Sequence, residues 1–417
     1  MTTIRYIKAL QVLDSRGRPT VGVVAQLSDE TIHRAKVPSG ASTGKHEALE
    51  LRDSDGINVG KAVAHINDLI APKLTGTKPN LRATDELLRE LDPTPERKDI
   101  GANATLATSL LSAITQSHCE GKSLARFFAP TGALNIPMPM VNILSGGAHA
   151  KGAMDIQDVL IIPHGATNFA EALRWITRVR EAAAALGAID GHVTNLTADE
   201  GGLGIPFHSS ADACAFVVKA IESVNLQPGK DISLALDIAA TQFFSQGRYI
   251  SRANQDTYSA HQWLTQMLEL TNEFPIISIE DPFAEDDWES WTQFTASAKN
   301  MQIVGDDHFT TNGERLQRGI TEKSANSILI KPNQNGLLTD TLEVLKLAQS
   351  NSFSTVVSAR SGETEDSWLA DLATGWLAGQ IKVGSTHGSD RNSKWNRLLE
   401  LEAIEETIFS NPFASYL

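Results

Sequence analysis

SILIKPNQNG, residues 327–336, sets a four-residue run of strand type directly before a lysine, a proline and a turn that ends in glycine. An apolar run this short, closed by turn residues, reads as a strand buried on both faces of a parallel sheet. The same rhythm recurs in ISLALD (232–237), PIISIED (275–281), QIVGDD (302–307), STVVSAR (354–360) and GQIKVGS (379–385). Helical stretches such as LLTDTLEVLKLAQS (337–350) and EDSWLADLATGWLAG (365–379) fill the connections. Strand alternating with helix implies parallel strands. Six such units, with residues 140–230 to supply the remainder, fit an α/β fold of the (β/α)8 barrel type. An open doubly wound sheet is the competing architecture, but no glycine-rich phosphate turn follows the first strand.

Upstream the pattern is mixed. TVGVVAQL (20–27) alternates, VPSGASTGKHEA (37–48) is a Gly/Ser loop, and TDELLRELD (84–92) and NATLATSLLSAITQSHCEGKSLARFFA (103–129) are helical in character. Residues 1–130 therefore read as a small α+β domain. Pro130, Pro137 and Pro139 punctuate the segment after it, which places the boundary there and a barrel domain over 135–417. A chain of 417 residues is long enough for two such cores.

The formal net charge of −14 would repel nucleic-acid backbone and anionic lipid, so neither is expected as a partner. Cys119 and Cys214 show no metal-type spacing, the N-terminus lacks an apolar signal region, and no run of 18 apolar residues occurs. The expectation is a soluble cytoplasmic protein without a membrane span.

Each apolar run of the barrel ends in a charged or polar group: Asp237, Glu280 with Asp281, Asp306 with Asp307, Lys331, Arg360 with Ser361, and Lys382. From Asp237 through Glu280, Asp306, Lys331 and Arg360 to Lys382 the successive spacings are 43, 26, 25, 29 and 22 residues. The last four approximate one βα unit each, so these side chains would converge on the C-terminal mouth of a barrel. One strand-end aspartate is as readily a helix cap or turn former. Three carboxylates on consecutive strands, with no cysteine or paired histidine, suit a hard divalent cation, Mg²⁺ in the first instance.

Burial at a strand end disfavours the charged form of Lys331, which would make its amine a general base; a salt bridge to the carboxylates is the other reading. Lys382 and the Arg360–Ser361 pair read as a receptor for carboxylate or phosphate, on the side opposite the acids. NLTADEGGLG (195–204) offers Glu200 as an acid or base opposite Lys331. NILSGGAHAKGAMDIQDVL (142–160) carries His149, Gln157 and Asp158.

With these residues in place, the sequence closely resembles enolase over nearly its whole length. The resemblance rests on LDSRGRPT (13–20), VPSGASTGKHEALELRD (37–53), GGAHA (146–150), DEGG (199–202), SIEDPFAEDDW (278–288), QIVGDD (302–307), KPNQNG (331–336), RSGETED (360–366) and GQIK (379–382). It implies an N-terminal α+β domain, a C-terminal barrel whose opening strands depart from simple alternation, and a homodimer or higher assembly. By position it implies Asp237, Glu280 and Asp306 as ligands of one Mg²⁺, with Ser39 in a closing loop that helps hold a second. It further implies Lys331 as the base at C2 of 2-phosphoglycerate and Glu200 as the acid for the C3 hydroxyl. Lys382 would lie at the substrate carboxylate, Arg360 and Ser361 at the phosphate, and His149 on another closing loop.

Two positions depart from the family pattern. Ala359 stands where the family has His, and Asp158, after Gln157, stands where it has Glu. Both changes fall on the leaving-group side, and the metal carboxylates, Lys331 and Lys382 are retained. Three expectations follow: a hydro-lyase interconverting 2-phosphoglycerate and phosphoenolpyruvate, a paralogue of the carboxyphosphonoenolpyruvate synthase type acting on a phosphonate carboxylate, or a binding paralogue with remnant catalysis.

Overall fold

The computed structural model describes residues 2–40, 44–150, 153–251, 253, 255–414 and 416. The runs read as strands close into an eight-stranded barrel. Ser233–Asp237, Ile276–Glu280, Gln302–Gly305, Ser327–Ile330, Ser354–Ser358 and Gln380–Lys382 lie parallel in sequence order. Met138–Ser145 continues parallel from Gln380–Lys382, and Asp158–Ile162 joins it to Ser233–Asp237.

Asp158–Ile162 is antiparallel to both neighbours. A chain that returns beside itself in this sense needs no crossover helix, and none lies between the first two strands among the described residues. Helices Phe169–Ile189 and Ser210–Ser223 both follow the second strand. The opening of the barrel is therefore ββαα, and regular alternation begins only at Ser233.

Alternation along each strand sorts the interior into layers, because side chains at i, i+2 and i+4 share a face. Gln302, Ser327, Ser354 and Gln380 begin their strands and form a neutral polar floor. Gln302 accepts from Ser278 Oγ at 2.8 Å and donates to Ser354 Oγ at 2.8 Å. Ala235, Val304, Leu329 and Val356 make an apolar waist with Met138, Met140, Leu160 and Ile162, and Phe413 joins the same cluster. The same registers continue to Asp237, Asp306, Lys331 and Arg360 at the mouth.

The N-terminal domain is a meander of Ile4–Leu13, Pro19–Leu27 and Ile32–Lys36. Helix Ala102–Cys119 packs against it, and every residue from Ala102 to Ala113 is buried. A helix apolar or small on all sides belongs inside a protein. This one lies between the meander, helix Leu81–Leu91 and the short helix Pro332–Asn335 that follows Lys331. Truncating Leu106 or Leu110 to alanine there would cost about 2–5 kcal/mol.

The two domains are pinned at the barrel mouth. Ser39 and Gly362 exchange backbone hydrogen bonds at 2.7 and 3.0 Å, and Ser39 Oγ donates to Asp14 Oδ2 at 2.6 Å. A Cβ on Gly362 would lie 2.4 Å from Asp14 Oδ2, so only glycine permits this approach. No helix among the described residues is long and apolar enough to cross a membrane.

Candidate active site

The strand-end residues converge as their spacing required. His149, Gln157, Glu200, Asp237, Lys331, Ala359, Arg360, Ser361 and Lys382 all line one enclosed cavity at the mouth, and Glu280 and Asp306 lie directly behind its lysines. Five residues in the loops around it, Glu200, Ala239, Asp281, Thr310 and Thr311, have positive φ. Such conformations cost on the order of 1–3 kcal/mol each and persist where surrounding contacts enforce them. Asp281 shows how, since its carboxylate accepts the backbone N–H groups of Asp306 and Asp307 at 2.9 and 2.7 Å. Glu200, at φ 65°, is held by its carbonyl accepting from Ser385 N at 2.8 Å.

The lysines sit on the acids rather than opposite them. Lys382 Nζ donates to Asp237 Oδ2 at 2.7 Å and to Glu280 Oε2 at 2.6 Å. Two carboxylates buried side by side repel, and an ammonium between them relieves it. Lys331 Nζ pairs with Asp306 Oδ2, whose other oxygen accepts from Gln334 Nε2 at 2.9 Å. Of the two readings of Lys331, the geometry has the salt bridge. Burial alone would lower its pKa, but Asp306 holds it above the ordinary lysine value. Burial would likewise raise Asp306, yet Lys331 keeps that carboxyl below the usual range.

Negative charge remains in excess. Burial, then Asp237, push Glu280 well above the usual carboxylate value, and burial, then Asp306, push Asp307 to about 8. Glu280 Oε1 is buried without a hydrogen-bond partner. The oxygens of Asp281, Asp306 and Asp307 lie within 4.8 Å of one another. Among the described residues Asp237, Glu280 and Asp306 pair with Lys331 and Lys382, and with Asp281 and Asp307 they make an all-oxygen set with an orphaned acceptor. That arrangement fits a hard divalent cation. Ser39 is turned to another partner, its hydroxyl donating to Asp14; residues 41–43 of the same loop lie outside the described residues.

Across the cavity a second cluster gathers around His149. Its Nδ1 lies 2.9 Å from Asp158 Oδ2 and its Nε2 lies 3.7 Å from Glu200 Oε1. Asp158 Oδ1 accepts from Asn142 Nδ2 at 2.7 Å and Ser145 Oγ at 2.8 Å. Burial works against the imidazolium, but Asp158 and Glu200 raise His149 to about 9. Burial, the largest effect, keeps Asp158 above the usual carboxylate range although His149 opposes it. Glu200 goes the other way: burial is outweighed by His149, Arg391, Lys382 and Lys331, and it is held low. The two carboxylates thus favour the imidazolium form of His149. Gln157 donates to Asp237 Oδ2 at 3.0 Å and accepts from Gln242 Nε2 at 2.5 Å.

Arg360 is turned toward the N-terminal domain. Its NH1 donates to Glu47 Oε2 at 2.8 Å and to Asn333 Oδ1 at 2.9 Å, and burial is outweighed by Glu47, which raises it further. Arg391 braces the loop by donating to the carbonyls of Arg360, Val383 and Ser361. Ala359 contributes only a methyl, its N–H donating to the Lys382 carbonyl at 2.9 Å. Sequence reasoning missed Asn142, Glu47 and Gln334. Asn142 carried a signal, a polar residue inside the apolar run MPMVNILS (138–145); Glu47 and Gln334 look like ordinary loop and helix residues.

The fold and mouth define a two-domain barrel protein with a cluster of buried carboxylates beside Lys331 and Lys382. The enolase N-terminal domain model matches residues 4–128, and the enolase C-terminal TIM barrel domain model matches residues 133–413. The chain belongs to the enolase family.

Proposed function

We propose that this chain is a divalent-cation-dependent hydro-lyase of the enolase type, interconverting 2-phosphoglycerate and phosphoenolpyruvate. The observation that carries the reading is one cavity with Lys331 on its acidic wall and His149 set between Asp158 and Glu200 on the other. Elimination needs both, a base for the proton beside the carboxylate and a proton source for the departing hydroxyl. A lysine base beside Mg²⁺ is the pattern established for enolase-superfamily sites.

In this reading Asp237, Glu280 and Asp306 would hold a first Mg²⁺, with a second ion near the Ser39 loop, and the cations supply charge neutralisation at the substrate carboxylate. Lys382 adds a fixed positive charge there. Lys331 accepts the C2 proton as a neutral amine, which requires Asp306 to be engaged elsewhere. Glu200 and His149 deliver a proton to the C3 hydroxyl, with Asp158 fixing the imidazole and Gln157 donating to Asp237. Arg360 and Ser361 receive the phosphate. A cytoplasmic location and a homodimer or higher assembly accompany this reading.

One observation favours a second substrate class. Ala359 leaves a methyl-sized wall beside Arg360 and Ser361, in a cavity otherwise lined by polar groups. The missing side chain there suits a substrate with an additional group on phosphorus, such as a carboxylated phosphonate, once a cavity of about 20 Å³ has opened to admit it. The test is the Mg²⁺-dependent rise in ultraviolet absorbance on adding 2-phosphoglycerate to wild type and Lys331→Ala. Turnover lost in the variant supports the lyase reading. An inert wild type that turns over a phosphonate analogue would replace the first substrate with the second, and inertness toward both would sink the enzymatic reading.

A further inference from the structure

We propose that Asn142 and Ser145 are positioning residues for the leaving-group side of the cavity, fixing the Asp158 carboxylate and through it the His149 imidazole. The inference rests on the reading of His149 and Glu200 as the groups that act on the departing hydroxyl. Both residues lie on the strand Met138–Ser145, whose eight residues are all buried. Three positions separate them, so in a regular pleat their side chains would face opposite sides of the sheet. Yet Asn142 Nδ2 at 2.7 Å and Ser145 Oγ at 2.8 Å donate to the same oxygen, Asp158 Oδ1.

The backbone accounts for this. Asn142 pairs with Leu160 and Ser145 with Asp158, and the register shifts between Asn142 and Leu144. Ile143 is thus one residue in excess, a β-bulge of the kind that re-aims side chains. It brings Asn142 and Ser145 onto the face of Asp158, where both donors meet Oδ1, while Oδ2 is left to His149 Nδ1 at 2.9 Å. With both its oxygens engaged the carboxylate is held in one orientation. A partner on Nδ1 commits the other ring nitrogen to the opposite direction, and Nε2 faces Glu200 Oε1 at 3.7 Å.

The same segment holds the Glu200 loop. Ser145 N donates to the Leu203 carbonyl and Leu203 N to the Ile143 carbonyl, each at 2.9 Å. A Cβ on Gly202 would overlap Ser145 Oγ, so the loop closes on the strand only with glycine there. Asn142 Nδ2 also lies 3.4 Å from Glu200 Oε2, so one amide reaches carboxylates on both sides of His149. Among the described residues its Oδ1 is buried without a partner. A leucine in that place would carry no unmet acceptor, so the amide is explained by what its Nδ2 holds rather than by packing.

The experiment compares wild type, Asn142→Leu, Ser145→Ala and the double variant in turnover of 2-phosphoglycerate with Mg²⁺. In parallel, imidazole resonances are recorded on the same proteins labelled with ¹⁵N-histidine and free of substrate, with His149→Gln to assign the His149 signals. Wild type is expected to show a downfield Nδ1–H resonance from the bond to Asp158, broadened or lost in the double variant. Each single variant should lower kcat about tenfold and the double variant about 10²-fold, with KM within about twofold, as a misplaced reacting group does. Ser145→Ala, the smallest change, carries the test if Asn142→Leu does not fold. Unchanged His149 resonances in the variants overturn the proposal whatever the substrate, and so does a loss confined to KM. A wild type inert on 2-phosphoglycerate whose resonances still respond as expected counts against the hydro-lyase reading and supports the hold of Asn142 and Ser145 on His149.

Discussion

The two ends of the barrel use the same strands for opposite purposes. At the floor, Gln302, Ser278, Ser327, Ser354 and Gln380 are joined by neutral hydrogen bonds, with Gln380 Nε2 left unpartnered. At the mouth, Asp237, Glu280, Asp306, Lys331 and Lys382 are charged, unbalanced and left with an orphaned Glu280 oxygen. A neutral network leaves at most a dipole unmet, whereas an unbalanced charged one is costly unless something else completes it. The difference separates the part of the barrel that holds its shape from the part built to receive a ligand.

If that division holds, substitutions at the mouth should remove activity without melting the protein. Lys331→Ala is expected to lower turnover of 2-phosphoglycerate by about 10⁴-fold. Its circular dichroism should stay that of wild type, because Gln334 still holds Asp306. Retained turnover would remove Lys331 from the role of base. On the facing wall, His149→Gln is expected to cost about 10²–10³-fold in kcat, since it removes the proton held between Asp158 and Glu200. A loss confined to KM would make His149 a binding residue only.

The floor should answer in the opposite way. Gln302→Leu strips four partners of their common amide, and each unpaired buried polar group costs about 1–3 kcal/mol. A loss of roughly 2–3 kcal/mol in urea unfolding is expected, with kcat/KM within about twofold of wild type. A large loss of activity at unchanged stability would mean the ends are coupled.

The same histidine gives the mouth a pH signature that the floor lacks. His149 is raised from 6.5 to about 9, so the stability it contributes is fully present below pH 6.5 and lost as pH rises through about 9. Wild type should lose on the order of 2 kcal/mol more than His149→Gln between about pH 6 and about pH 9.5. Parallel pH profiles from urea melts would show that Asp158 and Glu200 do not hold the proton there.

Legibility followed the same division. The mouth was readable because charge at the end of an apolar run is conspicuous and its spacing repeats, as at Lys331 and Asp306. The partners of those charges were harder to foresee. That Lys382 would settle between Asp237 and Glu280, or Arg360 turn to Glu47, depends on which buried charges stand nearest, and spacing carries no distances. The floor escaped notice because Ser327, Ser354 and Gln380 at strand starts look like turn residues. The antiparallel second strand was not visible in periodicity, since Asp158–Ile162 has the same all-buried pattern as its parallel neighbours.

The smallest expected effect concerns Ala359, where the two substrate readings separate. Its backbone is fixed by the bond to the Lys382 carbonyl, and its methyl faces the cavity beside Arg360 and Ser361. An imidazole in that place would add a donor near the phosphate and fill the space. Ala359→His should raise turnover of 2-phosphoglycerate by about tenfold or less, since one added polar contact contributes about 1–1.5 kcal/mol. The same change should exclude a phosphonate that carries an extra carboxylate. A gain on one substrate with a loss on the other means that the cavity is shaped for the larger one. A wild type already fast on 2-phosphoglycerate and indifferent to the histidine means that His149, Glu200 and Asp158 suffice on the leaving-group side, and that the methyl is a neutral occupant of the wall.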